Sequence, residues 1–231
     1  MYFQHSADIW RDFPALAPGL LLVDGISPEA VVRDQVAALY ETADARLAAV
    51  ASEGELPEIQ AWRRAFSTMG LKPTQYRCAS ESLLRRYRKE RSLPEIHPLI
   101  DLCNAVSLAY AVPIAVFDLA NVAEQLEVRY ARGTESYLTF GGETETAPEG
   151  EVVFADAAER AHARRWTNRQ SGLSAIRPTT RSALIVTEAL HDTAAADVER
   201  LLQTLAGELS AHWTLASKPV QLTASAPRFD F

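Results

Sequence analysis

Pro113 divides this chain into two textures, and that division constrains the fold more than any other feature. Before it, apolar residues recur at helical spacing; after it come short β-branched or aromatic runs separated by turn signals. Upstream, Ser27-Pro28 reads as a helix start, followed by Val32, Val36, Leu39, Ala43, Leu47 and Val50 on one face. Pro57 opens a second helix carrying Ile59, Trp62, Phe66 and Met69. Ser80 caps a third, and Pro98 opens a fourth that ends before Pro113. Gly19 to Ile26 (GLLLVDGI) reads as a short buried strand closed by a turn. Downstream, Ile114–Asp118, Leu126–Ala131, Tyr137–Phe140, Glu151–Asp156 and Leu184–Thr187 read as strands. Val198, Leu201, Leu202, Leu205, Leu209 and Trp213 then place an amphipathic helix over about 194–213. Helices first, strands second and a closing helix imply an α+β class, with helices packed on a mostly antiparallel mixed sheet. A single domain over 1–231 is expected, with no repeat or low-complexity linker.

Composition narrows the class. Apolar residues make up 48% and charged residues 23%, which excludes a disordered chain. The apolar stretches are too short to span a bilayer, so no membrane partner is expected. The net charge of −7 excludes a uniformly basic nucleic-acid coat but not a local patch. Lysine stands only at 72, 89 and 218, so arginine supplies nearly all the positive charge, as a forked donor suited to carboxylates and phosphates. Cys78 and Cys103 have no zinc-type spacing. Reduced thiols, no metal, no cofactor and a cytoplasmic location are expected. Residues 1–10 carry no basic or apolar region of a secretory signal.

Four stretches can carry chemistry. On the Pro98 helix, Asp101, Asn104 and Ser107 fall three apart and form one polar stripe on an otherwise apolar helix. They are either an internal hydrogen-bond network or the wall of a polar pocket. Arg85, Arg86, Arg88, Lys89 and Arg91 cluster at a helix end, as a solvated cap or a phosphate patch. If Arg164–Gln170 is a strand, Arg165, Thr167 and Arg169 share one face and Trp166 the other, an edge strand or an arginine–aromatic ligand surface. The segment Glu143–Glu159 holds six acids and no base, with Glu151 the member placed to point inward. No phosphate loop, dinucleotide fingerprint, nucleophile elbow or catalytic triad is present.

Ser80-Glu81-Ser82-Leu83-Leu84-Arg85-Arg86, Leu93-Pro94, Pro98 to Leu102, Asn104 to Leu108, Pro113 and Phe117-Asp118-Leu119 occur in order. Gly150-Glu151-Val152, Asp156, Arg165-Trp166, Arg169-Gln170 and Thr179-Thr180 follow. This ordered set, over roughly residues 10–190, resembles the free-standing B3/B4 domain family. That module is similar to the editing domain of the bacterial phenylalanyl-tRNA synthetase β subunit, which hydrolyses tyrosine wrongly esterified to the phenylalanine tRNA. The resemblance implies a B3/B4-like fold and a trans-acting aminoacyl-tRNA deacylase. Its pocket would lie between the sheet and the Asp101–Ser107 helix and would hold the terminal adenosine and aminoacyl group. On matching positions, Asn104 and Ser107 would bind the ester or a water, and Glu151 or Asp118 the α-ammonium. Arg165, Trp166 and Arg169 would meet the terminal nucleotide, and Arg85, Arg86 and Arg88 the tRNA phosphates. Charged tRNA is then the partner, with transient synthetase contact a further expectation. Two other readings stay open: a non-catalytic module binding an amino acid, nucleotide or acceptor end, and an interaction protein docking an acidic partner.

Overall fold

A computed structural model describes residues 1–231. The order of elements is β1 (Tyr2–His5), α1 (Ala7–Asp12), β2 (Ala17–Asp24), α2 (Arg33–Ala48), α3 (Pro57–Thr68), α4 (Ala79–Glu90), α5 (Pro98–Tyr110), β3 (Ile114–Asp118), β4 (Gln125–Tyr130), β5 (Ser136–Leu138), β6 (Thr144–Thr146), β7 (Val152–Asp156), β8 (Ala161–Arg164), β9 (Arg169–Gln170), β10 (Ser182–Ala189), α6 (Ala194–Ser210), β11 (Thr214–Leu215), β12 (Val220–Gln221) and β13 (Arg228–Asp230). The class is α+β, as expected, but the strands divide between two large sheets rather than one. The first runs β13-β1-β4-β7-β8-β9, with β1 and β4 parallel and the other pairs antiparallel. The second runs β11-β2-β10-β3, all antiparallel, with β12 also on β2. A small β5–β6 hairpin stands apart.

The apolar run at Gly19 is unbroken because β2 is buried on both faces. Alternate residues of a strand point to opposite sides. Leu20 and Leu22, with Leu184, Val186 and Phe117, face one core, which also takes Phe3, Val128 and Phe154 from the first sheet. Leu21 and Val23, with Ala183, Ile185 and Val116, face a second core against α5 and α6. The second sheet is therefore a shared wall. Behind it lie α5, α6 and part of α2; in front lies an apolar layer holding Trp62 and Phe66 of α3, then the first sheet.

Helix boundaries follow local chemistry. Helix α5 begins at Pro98, and the His97 side chain accepts the Leu99 amide at 3.2 Å. It ends at Ala111, which takes a left-handed φ of 57°. Helix α2 begins at Arg33, later than the Ser27-Pro28 signal implied, because Pro28 and Glu29 form a turn. Both cysteines are free and buried, and burial pushes the Cys78 thiol up to about 11. At the end of β7, buried Asp156 accepts the amides of Ala123, Ala158 and Arg160, the Arg160 guanidinium and His162 Nε2. Burial pushes its pKa up, but the His162 and Arg160 bonds outweigh burial and hold the carboxyl below the usual range.

Two consequences are measurable. A Cβ on Gly19 would stand 2.7 Å from Val198 Cγ1, 2.8 Å from Leu202 Cδ1 and 2.9 Å from Thr187 Cγ2, all inside van der Waals contact. Gly19→Ala is expected to cost about 1–3 kcal/mol through overpacking under α6, a loss of roughly 3–10 °C in a thermal melt. An unchanged Tm would mean that α6 sits farther from the sheet. Asp156, with its folded pKa depressed, contributes stability that is complete above the unfolded carboxyl pKa of about 3.9. That contribution is lost progressively as pH falls from there through the lower folded pKa. Asp156→Asn should lower stability at pH 7 and flatten the acid limb of a denaturation series; an equally steep limb would assign the acid sensitivity to other carboxylates.

Candidate functional site

The segment Arg164–Gln170 is a tight hairpin, not the single strand its sequence suggested. Strand β8 ends at Arg164, residues 165–168 turn, and β9 begins at Arg169. Arg165 and Trp166 take positive φ values of 48° and 56°, so Arg165, Thr167 and Arg169 do not share a strand face. Burial of Trp166 holds the turn. Its amide donates to the Val152 carbonyl at 2.7 Å, and its ring sits edge-on to Phe13 and Trp62 at 4.8 and 5.0 Å. Its Nε1–H donates to Glu188 Oε1 at 2.9 Å.

Arginines around this hairpin are matched by acids from the Glu143–Glu159 segment. Glu151 pairs with Arg164 Nε at 2.7 Å and Arg165 Nε at 3.4 Å; Glu145 pairs with Arg164 at 2.5 Å and Arg169 at 3.2 Å. Arg165 also lies over the Tyr76 ring, and Arg164 and Arg169 lie over Tyr137. Glu151 is therefore spent on fixing the hairpin and has no oxygen left for a substrate ammonium. Asp118 is likewise occupied: it is buried, accepting Thr180 Oγ1 at 2.8 Å and the Ala120 amide at 3.0 Å.

Trp166 and Arg169 do meet at a site, together with a residue the sequence reading missed. A narrow cleft of about 60 Å³ opens between the two large sheets, lined by Ala115, Phe154, Trp166, Arg169, Gln170 and Glu188 among others. Glu188 is 2% exposed. Its Oε1 accepts both His5 Nε2 at 2.6 Å and Trp166 Nε1 at 2.9 Å, whereas no protein donor reaches its Oε2. The amide NH2 groups of Gln170 and Asn168, which also line the cleft, donate to the carbonyls of Val116 and Arg77. The cleft thus presents acceptors to a ligand, with Arg169 as its cationic donor. The sequence signal for Glu188 was a lone acid inside the apolar run Ala183–Ala189, a strand buried along nearly its whole length.

The polar stripe on α5 splits. Asp101 and Asn104 line a larger cavity of about 650 Å³ between α2, residues 92–97 and α5, with Tyr40 and His97. Asp101 accepts the Ile96 amide at 2.9 Å, and burial raises its pKa. Ser107 lines neither cavity. It is buried and donates to the Val112 carbonyl at 2.7 Å, tying the helix end to the next loop. The expected pocket between α5 and the sheet is filled by Leu99, Leu102, Cys103 and Val106. Asn104 and Ser107 therefore do not converge with Glu151.

Arg85, Arg86 and Arg88 are apart from both cavities, on the outer face of α4. Arg86 pairs with Glu90 at 2.8 Å, Arg88 donates to the Ala51 carbonyl at 2.6 Å, and Arg85 stands 4.0 Å from Glu53. With Lys89 and Arg91 they leave a locally positive surface on an acidic protein.

The chain is 39% identical over 69 residues to the phenylalanine–tRNA ligase β subunit of Coxiella burnetii, covering 29% of this chain and 9% of that protein. It is 26% identical over 88 residues to the same subunit of Shewanella oneidensis, covering 38% and 11%. The chain thus spans about a tenth of the length of these relatives. An N-terminal fragment of the phenylalanyl-tRNA synthetase β subunit from Pyrococcus horikoshii superposes with a TM-score of 0.40 at 14% identity, over 49% of this chain and 39% of that one. The B3/4 domain model matches residues 61–213, from the middle of α3 to beyond α6, and on that match the chain belongs to the B3/4 domain family.

Proposed function

We propose that this chain is a trans-acting aminoacyl-tRNA deacylase whose substrate-facing group is Glu188. The observation that carries the reading is the free Oε2 of a buried carboxylate in the inter-sheet cleft. Family membership and likeness to synthetase β subunits supply the substrate class.

The aminoacyl ester is an activated bond, so its hydrolysis needs a held water and a polarised carbonyl more than a strong base. Glu188 Oε2 is placed to accept from the substrate's α-ammonium, a side-chain hydroxyl or the attacking water. Its other oxygen is pinned by His5 and Trp166, which fixes the free one in place. A cleft of about 60 Å³ encloses only the reacting end of the substrate, and the terminal adenosine lies across its mouth near Arg169. The exposed arginines of α4 supply backbone phosphate contacts, so affinity falls as salt rises. No helix is long and apolar enough to cross a membrane.

A second reading is a binding module for the acceptor end without turnover. Its support is that Thr167 is the one hydroxyl and Glu188 the one carboxylate in the cleft lining, with no serine, cysteine or histidine beside them.

A panel of charged tRNAs separates the two. The wild-type chain is expected to release amino acid from at least one mischarged species. Glu188→Gln, nearly isosteric, should lower single-turnover release about tenfold or more, as for loss of one transition-state contact, with its melt checked in parallel. Binding without release from any tRNA would favour the module; neither binding nor release would remove the tRNA reading. Charge removal at Arg86 and Arg88 together should shallow the log–log salt slope of binding by about 1–2 units; an unchanged slope would remove the phosphate role of α4.

A further inference from the structure

A second group of side chains, outside the cleft, has chemistry of its own. Glu58 at the start of α3, His191 after β10 and Asp197 in the first turn of α6 each offer a ligand atom within 4.8 Å of the others. Glu58 and His191 are more than nine-tenths buried, at 7% and 5% exposed. Two buried atoms in this group are unexplained. Glu58 Oε2 and His191 Nδ1 are among the buried side-chain atoms that have no hydrogen-bond partner. The surrounding bonds are fully organised. Arg46 donates to the other oxygen of Glu58 at 2.6 Å. Arg200 donates to Asp197 Oδ1, while Thr193 Oγ1 and His191 Nε2 reach Asp197 Oδ2 at 2.5 and 2.8 Å.

We propose that Glu58, His191 and Asp197 form a divalent-cation site suited to zinc, with three protein ligands and water as the fourth. One imidazole nitrogen and two carboxylate oxygens are a donor set zinc accepts. A cation held by His191 Nε2 and Asp197 Oδ2 takes the place of the hydrogen bond between them and supplies the partner that buried Glu58 Oε2 lacks. Arg46 and Arg200 hold the far oxygens of the two carboxylates, the outer support that orients metal ligands. The same arginines offset the carboxylates' charge, so binding is weaker than at a four-ligand structural zinc. Asp197 is the partly open member, which gives the ion a way in. The ligands come from α3, the end of β10 and α6, so a bound ion would staple two helices to the central sheet. Its signature is stability and is independent of Glu188.

Calorimetry of the chelator-treated full chain with zinc chloride, and with magnesium chloride as control, tests this. One zinc per chain is expected, with no magnesium binding and a rise in Tm of about 5 °C or more at a hundredfold excess over Kd. His191→Ala and Glu58→Gln should each weaken zinc at least tenfold while leaving the zinc-free fold intact. Where a variant does not fold, the wild-type chain loaded with cobalt decides: intense visible bands of a tetrahedral ion support the site, and the faint spectrum of an octahedral ion overturns it. Failure to bind zinc stoichiometrically, or equal binding by both variants, would leave the cluster as a histidine hydrogen-bonded among carboxylates, with water in the gap.

Discussion

Glu188 is the interaction on which the rest of the arrangement depends. A carboxylate buried in an apolar strand is tolerated only when donors meet it. The donors come from the opposite layer: His5 from the edge region of the first sheet and Trp166 from its far hairpin. The two sheets are thus tied at Glu188 by two hydrogen bonds, with the Gln170 amide on the Val116 carbonyl as a further link, and removing a partner of such a buried group costs roughly 3–5 kcal/mol. The same contact accounts for the left-handed turn at Arg165–Trp166, since the indole reaches Glu188 only from a hairpin. It also leaves one carboxylate oxygen beside the cleft, the atom on which the proposed function rests.

Charge is arranged around that contact in two ways. At the hairpin, Glu145 and Glu151 match Arg164, Arg165 and Arg169, which fixes geometry and leaves little net field. On α4, exposed arginines and Lys89 outnumber their acidic partners, so positive potential survives there on a chain of net charge −7. A partner with phosphates would meet α4 first. This separation of a steering surface from a neutralised cleft suits the proposed deacylase, which would sample many tRNAs weakly.

Much of the fold was legible because hydrophobic period and proline placement report local structure. Helices α3, α5 and α6 and strand β3 start where Pro57, Pro98, the Val198 repeat and Pro113 implied. Strands β1 and β13 were not legible. They are four and three residues long, and each is made a strand by pairing across the whole chain, Tyr2 with Asp230. The hairpin at Trp166 escaped because its turn uses no glycine, and only tertiary burial of the indole makes a positive φ tolerable there. The family resemblance pointed to the correct module, and the residues singled out on it lie in different places in the structure. Trp166 and Arg169 line the cleft and Asn104 lines the other cavity, whereas Ser107, Asp118 and Glu151 are consumed by internal bonds. A polar side chain in sequence does not reveal whether its partner is a ligand or a neighbouring carbonyl.

A crystal structure of the chain with a non-hydrolysable amide analogue of a 3′-aminoacyl adenosine measures the central claim directly. The aminoacyl end should enter the cleft between the two sheets, with a donor of the analogue or an ordered water within hydrogen-bond distance of Glu188 Oε2 and the adenosine outside near Arg169. Density for the aminoacyl group in the α2–α5 cavity instead, against Asp101 and Asn104, with Glu188 untouched, would contradict it.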